Sequence, residues 1–221
     1  MEFNSEMAEK ILIYIAMVMS LGLHEAAHAK VAKFFGDSQP AEDGVDTWNP
    51  IPHIRRALFT CVLLPAITWF LSGFFIGGAF VRLNPMNMKP RRLGYALSVA
   101  AGPGMNLLIS FLMLFFAILT GIFLKQKAAM GINVLLYIGA FNLLLFVFNL
   151  LPAPPLDGAS ILQTIFPQTE RFFQTAGRFL FFGLLILLQF SDTAANILFY
   201  PFYQYYYLAS DLIQSVMNII L

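Results

Sequence analysis

Residues 24–28 read HEAAH. Histidines four apart share one face of a helix, so two imidazoles can grip a single metal ion from the same side. Glu25 lies beside that face, near enough to take a proton from a water activated there. HExxH on a helix is the arrangement of zinc metalloproteases, in which two ligands stand next to a general base. The chain has only three histidines, and two of them fall at ligand spacing, which makes coincidence a poor account. A catalytic zinc takes three protein ligands and keeps one position open, so His24 and His28 need a third group. Asp157, in FNLLPAPPLDG, is the candidate. Pro152, Pro154 and Pro155 forbid a regular helix just before it, and a rigid turn there can mount a carboxylate. The same residues equally fit Asp157 as the cap of a helix beginning near Ala159. Residue types alone leave both readings open.

The elements that must hold these groups are oily. Of 221 residues, 59% are hydrophobic and 11% charged, whereas soluble domains run near half and a quarter. A water-soluble domain of this size cannot bury that much apolar surface. The composition predicts an integral membrane protein that is all-α and polytopic. A net charge of +1 offers no basic field for nucleic acid. The single cysteine, Cys61, permits no disulfide or thiolate metal site within one chain.

A span needs about 20 mainly apolar residues. The run 11–23 is too short by itself, so its helix must continue through HEAAH to a stop at Gly36, with Lys30 and Lys33 snorkelling at the far end. It reads as a retained span, because no small-residue cleavage site follows it. Further apolar segments cover 58–81, broken by Pro65, then 93–124, 128–151, 172–190 and 194–221, the last rich in tyrosines. The expectation is five to six transmembrane helices around a buried metal site, forming one domain over 1–221 with C-terminal helices in 172–221. Lysines and arginines divide evenly between the two sides if all six segments cross, so charge does not orient the chain.

HEAAH near the start, AGPGMN at 101–106 and NLLPAPPLDG some 130 residues after the first motif resemble, in that order, the site-2 protease family of intramembrane zinc metalloproteases. The resemblance covers roughly residues 10–165. Within it, HEAAHAKVAKFFGD and the Asn-Pro pairs at Asn49–Pro50 and Asn84–Pro85 are similar to a compact bacterial branch. The resemblance implies one zinc ion per chain, held by His24, His28 and Asp157, with Glu25 activating water. It also implies that Asn149 helps hold substrate or stabilise the oxyanion. The implied substrate is a transmembrane segment of another protein, unwound locally before cleavage. The implied location is a bacterial inner membrane, with the metal toward the cytoplasmic leaflet. The chain departs from the branch at Arg55, where relatives carry an acidic residue after His-Ile, and it shows no PDZ or regulatory domain.

Several residues keep two readings. His53 is a loop histidine or a fourth metal-affecting group. Asn106 lies near the metal, as the resemblance implies, or satisfies backbone freed by Pro103. Gly73 and Gly77 match a small-xxx-small packing pair. GGAFVRL, residues 77–83, is a candidate extended edge beside the site, in a short hairpin or edge strand; in the family such an edge pairs with substrate. A metal transporter or sensor, or an inactive scaffold, are the rival classes. The first predicts further ligands along a pore, and the second predicts loss of Glu25 or of a ligand.

Overall fold

The apolar run before HEAAH does not stop at the motif, since nothing between Ile11 and Phe34 breaks a helix. In the computed structural model, which describes residues 5–72, 77–124 and 129–220, helix α1 runs Ser5–Phe34 without interruption. Thirty residues at 1.5 Å each give about 45 Å, more than a bilayer core. It ends as the sequence predicts. Gly36 takes φ +98°, its N–H bonds the Lys33 carbonyl at 2.9 Å, and the Asp37 N–H reaches back to Ala32 at 3.0 Å. This is a Schellman stop, and it needs a residue free to enter the left-handed region.

Short helices α2 (Gln39–Glu42) and α3 (Pro50–Arg56) follow, then a π-helical turn at Phe59–Leu63 that runs into α4 (Leu64–Ser72). Three long helices complete the scaffold: α5 (Arg91–Leu124), α6 (Ala129–Asn149) and α9 (Asp192–Ile220). Between α6 and α9 lie α7 (Asp157–Ile165) and α8 (Glu170–Phe190). Helices α1, α5 and α6 pack against one another, and α9 lies against α5 and α6. Small residues permit the close approaches. A Cβ on Gly22 would stand 2.5 Å from the Pro50 Cβ, and one on Gly139 would stand 2.1 Å from the Tyr205 hydroxyl.

The helical class is as expected, and against the expected five to six spans the structure offers three to five. Three helices are long and apolar enough to cross a membrane, namely Glu6–Phe34, Arg91–Leu124 and Ala129–Asn149, or up to five if each of two bent pairs counts as one span. The expected span 58–81 is the first difference. Its helix ends at Ser72 and residues 77–81 are not helical, so Phe59–Leu71 reaches span length only together with Pro50–Arg56, which it meets at 102°. In the π turn the Leu64 N–H bonds the Phe59 carbonyl, five residues back. Pro65 has no N–H to give the next carbonyl in that register, Thr60, which accepts the Gly78 N–H instead at 3.0 Å. Residues 77–84 then run without helix or strand; among the described residues there is no β-strand, so the expected hairpin or edge strand is absent as a paired element. The second difference is α9, whose 29 residues are long enough to span. It is not among the helices apolar enough, since Asp192, Gln204, Asp211 and Gln214 dilute its hydropathy. Gly73, and with it the expected packing pair with Gly77, lies outside the described residues.

Two carboxylates, one buried and one half-buried, fasten the non-helical segments that follow α1. Asp37 accepts the N–H of Gln39 at 3.1 Å, the N–H of Asn84 at 2.7 Å and the Asn87 amide at 3.1 Å. Asp43 pairs with Arg82 and, at 3.3 Å, with Arg56. The Arg82 guanidinium, with Arg56 beside it, holds the Asp43 carboxyl below its ordinary value. A carboxylate whose pKa is lower folded than unfolded stabilises the fold above its unfolded pKa, and that stabilisation fades as pH falls through the folded value. Asp43→Asn is therefore expected to lower the thermal midpoint in detergent by a few degrees at neutral pH. The gap from wild type should be smaller at about pH 3, already below the unfolded carboxylate pKa near 3.9, and close only below the folded value. An equal gap at both pH values would rule out this ionic contribution.

Candidate metal centre

On the uninterrupted α1, His24, Glu25 and His28 are all buried, at 6, 5 and 5% exposure. The two Nε2 atoms stand 3.0 Å apart. One ligand atom from each of the three residues lies within 4.8 Å of the others, the arrangement of a metal-binding group. The third group arrives from far along the chain. Helix α6 ends at Asn149, the prolines hold residues 150–156 out of helix, and α7 opens with Asp157. The Asp157 carboxylate oxygens lie 3.2 Å from His24 Nε2 and 3.5 Å from His28 Nε2. Of the two readings left open by residue type, the cap is not realised: Leu156 occupies the N-cap and no side chain caps α7. Gly158 explains its own place in the turn, because a Cβ there would stand 2.1 Å from the Leu150 carbonyl oxygen.

The set fits a metal on geometric grounds. Ligand atoms about 2.0–2.1 Å from a tetrahedral zinc sit about 3.3–3.4 Å from one another, and the separations here are 3.0, 3.2 and 3.5 Å. Glu25 Oε2 is buried with no hydrogen-bonding donor, and Asp157 Oδ2, also buried, faces only the imidazole 3.2 Å away. Unpaired buried oxygens are costly unless something positive completes them. Helix α5 leaves the space open at Gly102. A Cβ on that residue would stand 2.2 Å from His28 Nε2 and 2.6 Å from His24 Nε2.

Outer contacts orient the ring atoms. His28 Nδ1 donates to the Ser98 carbonyl at 2.7 Å, which leaves Nε2 bare toward Asp157. His24 Nδ1 lies 3.0 Å from Asn106 Nδ2. The amide of Val81, in the extended run 77–84, faces the Glu25 carboxylate. That run therefore passes the site, as GGAFVRL was expected to, though without a strand partner. The remaining sequence candidates are placed elsewhere. Asn149 gives its amide nitrogen to the Leu145 carbonyl of its own helix at 3.0 Å, and no polar contact joins it to the histidines, Glu25 or Asp157. His53 is buried, with Nε2 3.2 Å from the Thr47 carbonyl, outside the metal-ligating group. Arg55 is exposed.

The sequence reading did not single out Ser98 or Gly102. Both belong to a stripe on α5, Gly94, Ser98, Gly102, Asn106 and Ser110, spaced every four residues and wholly buried. That period of small and polar residues in an apolar helix was the available signal.

An all-helical apolar chain with an HExxH pair closed by a distant carboxylate defines a class, the membrane metallopeptidases. The chain belongs to peptidase family M50, the site-2 proteases. The family model described as "Peptidase family M50" matches residues 119–190, which include the Asp157 turn. The "Putative zinc metalloprotease YwhC" of Bacillus subtilis (strain 168) is 33% identical over 167 residues, covering 72% of this chain and 71% of the relative. The protein of the same description named Rip2 in Mycolicibacterium smegmatis is 32% identical over 179 residues, covering 80% of this chain and 66% of the relative. Rip2 of Mycobacterium tuberculosis (strain ATCC 25618 / H37Rv) is 32% identical over 178 residues, with the same two shares of 80% and 66%. No solved structure matches the chain.

Proposed function

We propose that this peptidase is a zinc enzyme that cleaves transmembrane segments of other proteins inside a bacterial inner membrane. One observation carries the reading: His24, His28 and Asp157 converge on a space beside Glu25, on a helix apolar and long enough to span. The relatives' names supply the zinc, and their bacterial sources support the location.

In this reading His24 and His28, through Nε2, and Asp157, through its carboxylate, hold the ion. Zinc, when bound, lowers the pKa of water toward about 7 and polarises a carbonyl. Glu25 takes the proton of the attacking water and later hands it to the leaving amine. Burial removes competing solvent, so the carboxylate acts at short range in a low dielectric. The extended run 77–84 lies alongside, where its backbone can receive an unwound substrate. Asn149, at the end of α6, holds substrate after turning its amide away from Leu145.

Metal analysis of purified protein tests the ligand set. Wild type is expected to carry one zinc per chain and Asp157→Ala much less, with the helical circular-dichroism signal unchanged. Undiminished zinc in Asp157→Ala would move the third ligand elsewhere. Cleavage of a model transmembrane substrate that survives saturating chelator would remove zinc from the mechanism.

A further inference from the structure

The two histidines are oriented by unlike partners. Ser98 offers His28 a backbone carbonyl, which can only accept, so the proton on that ring sits at Nδ1 and Nε2 is bare. His24 instead faces a side-chain amide, which can accept at one end or donate at the other. In the structure Asn106 Nδ2 points at His24 Nδ1 across 3.0 Å, and Asn106 Oδ1 is buried without a partner. A ring accepting at Nδ1 carries its proton on Nε2. That is the atom 3.0 Å from His28 Nε2 and 3.2 Å from Asp157. Metal ligation requires the opposite tautomer, with Nδ1–H donating outward and Nε2 bare. The ends of an amide have the same shape, so a half-turn about Cβ–Cγ brings Oδ1 to Nδ1 and gives the orphaned oxygen a donor.

We propose that Asn106 is the positioning residue for His24, presenting its amide oxygen to Nδ1 and so fixing the tautomer that aims Nε2 at the metal. The inference rests on the proposed reading of His24 as a ligand. Asn106 is fully buried on the four-residue stripe of α5, and its amide is directed at His24 across 82 residues of chain. Satisfying backbone freed by Pro103 is therefore not its visible contact.

Chelator competition on the purified full chain measures zinc affinity in wild type, Asn106→Leu, Asn106→Asp and His24→Ala. Leucine has similar volume and no acceptor, and is expected to weaken binding about 10–100-fold, the usual cost of losing an outer partner of a ligating histidine. Aspartate offers only acceptors and should hold zinc at least as tightly as wild type. A packing role predicts the reverse order, with leucine tolerated and a buried charge harmful, and that order would overturn the proposal. Wild-type affinity in His24→Ala would overturn the ligand reading beneath it. If Asn106→Leu does not fold, long-range proton–nitrogen NMR of the zinc-loaded wild type still decides. There are three histidines to assign. A proton at His24 Nδ1 is expected, and one at Nε2 would overturn the assignment.

Discussion

Glu25→Gln is expected to lower cleavage of a transmembrane model substrate by about 10²–10⁴-fold, the usual contribution of a positioned general base. Zinc should remain at one per chain and the helical signal unchanged. The substitution is nearly isosteric, and Gln keeps an oxygen for the Val81 amide that faces this position, so the packing around α1 loses no partner. What it removes is basicity. Glu25 Oε2 is buried with no donor bound to it, so the structure commits none of its lone pairs to holding the fold. A carboxylate kept in that condition beside two imidazoles is free to receive a proton, and an amide is not. The assay compares initial rates in mixed micelles at matched zinc occupancy. Rates within a few-fold of wild type would take the base role away from Glu25 and leave it as a structural neighbour of the ligands.

Much of this centre could be read from residue order, because helical period converts spacing into shared faces. HEAAH could be assigned to one side of α1, and Gly36 to its end, on local rules alone. The third group of the cluster could not be decided that way. Whether Asp157 caps α7 or reaches His24 depends on where residues 150–156 deliver it, and no periodic rule relates position 157 to position 24. The structure resolves the choice through the proline turn and through Gly158, which packs on the Leu150 carbonyl. The segment 58–81, expected to be broken at Pro65, departs from a simple span for a related reason. Apolar composition reports affinity for lipid or protein interior, but not direction. The chain turns by 102° between Arg56 and Phe59, and farther on the Thr60 carbonyl, left without a helical donor at Pro65, ties in Gly78. Residues 77–84 consequently reach Glu25 as single extended backbone without a strand partner. The α5 stripe was legible in principle. Its signal is four-residue recurrence of small and polar side chains, of which AGPGMN holds only Gly102 and Asn106.

The same stripe yields a prediction with a control built into the helix. Gly102→Ala is expected to empty the site and abolish cleavage, because the new methyl would lie 2.2 Å from His28 Nε2 and 2.6 Å from His24 Nε2. These are the atoms proposed to face the metal. Neither ring can retreat without breaking a contact, since His28 is held to the Ser98 carbonyl at 2.7 Å and His24 to Asn106 at 3.0 Å. The methyl therefore displaces ligand atoms, and zinc affinity should fall by more than the about 10–100-fold that follows loss of an outer partner. Gly104 is two residues on, and a Cβ there meets nothing within 4 Å. Gly104→Ala should keep full zinc and, since alanine is the better helix former by about 1 kcal/mol, unfold no earlier than wild type. Comparing the two variants separates a steric demand of the metal site from any general need for glycine in α5. Full zinc occupancy in Gly102→Ala would mean that α5 stands further from the imidazoles than the structure places it, and the open space between them would then need another explanation.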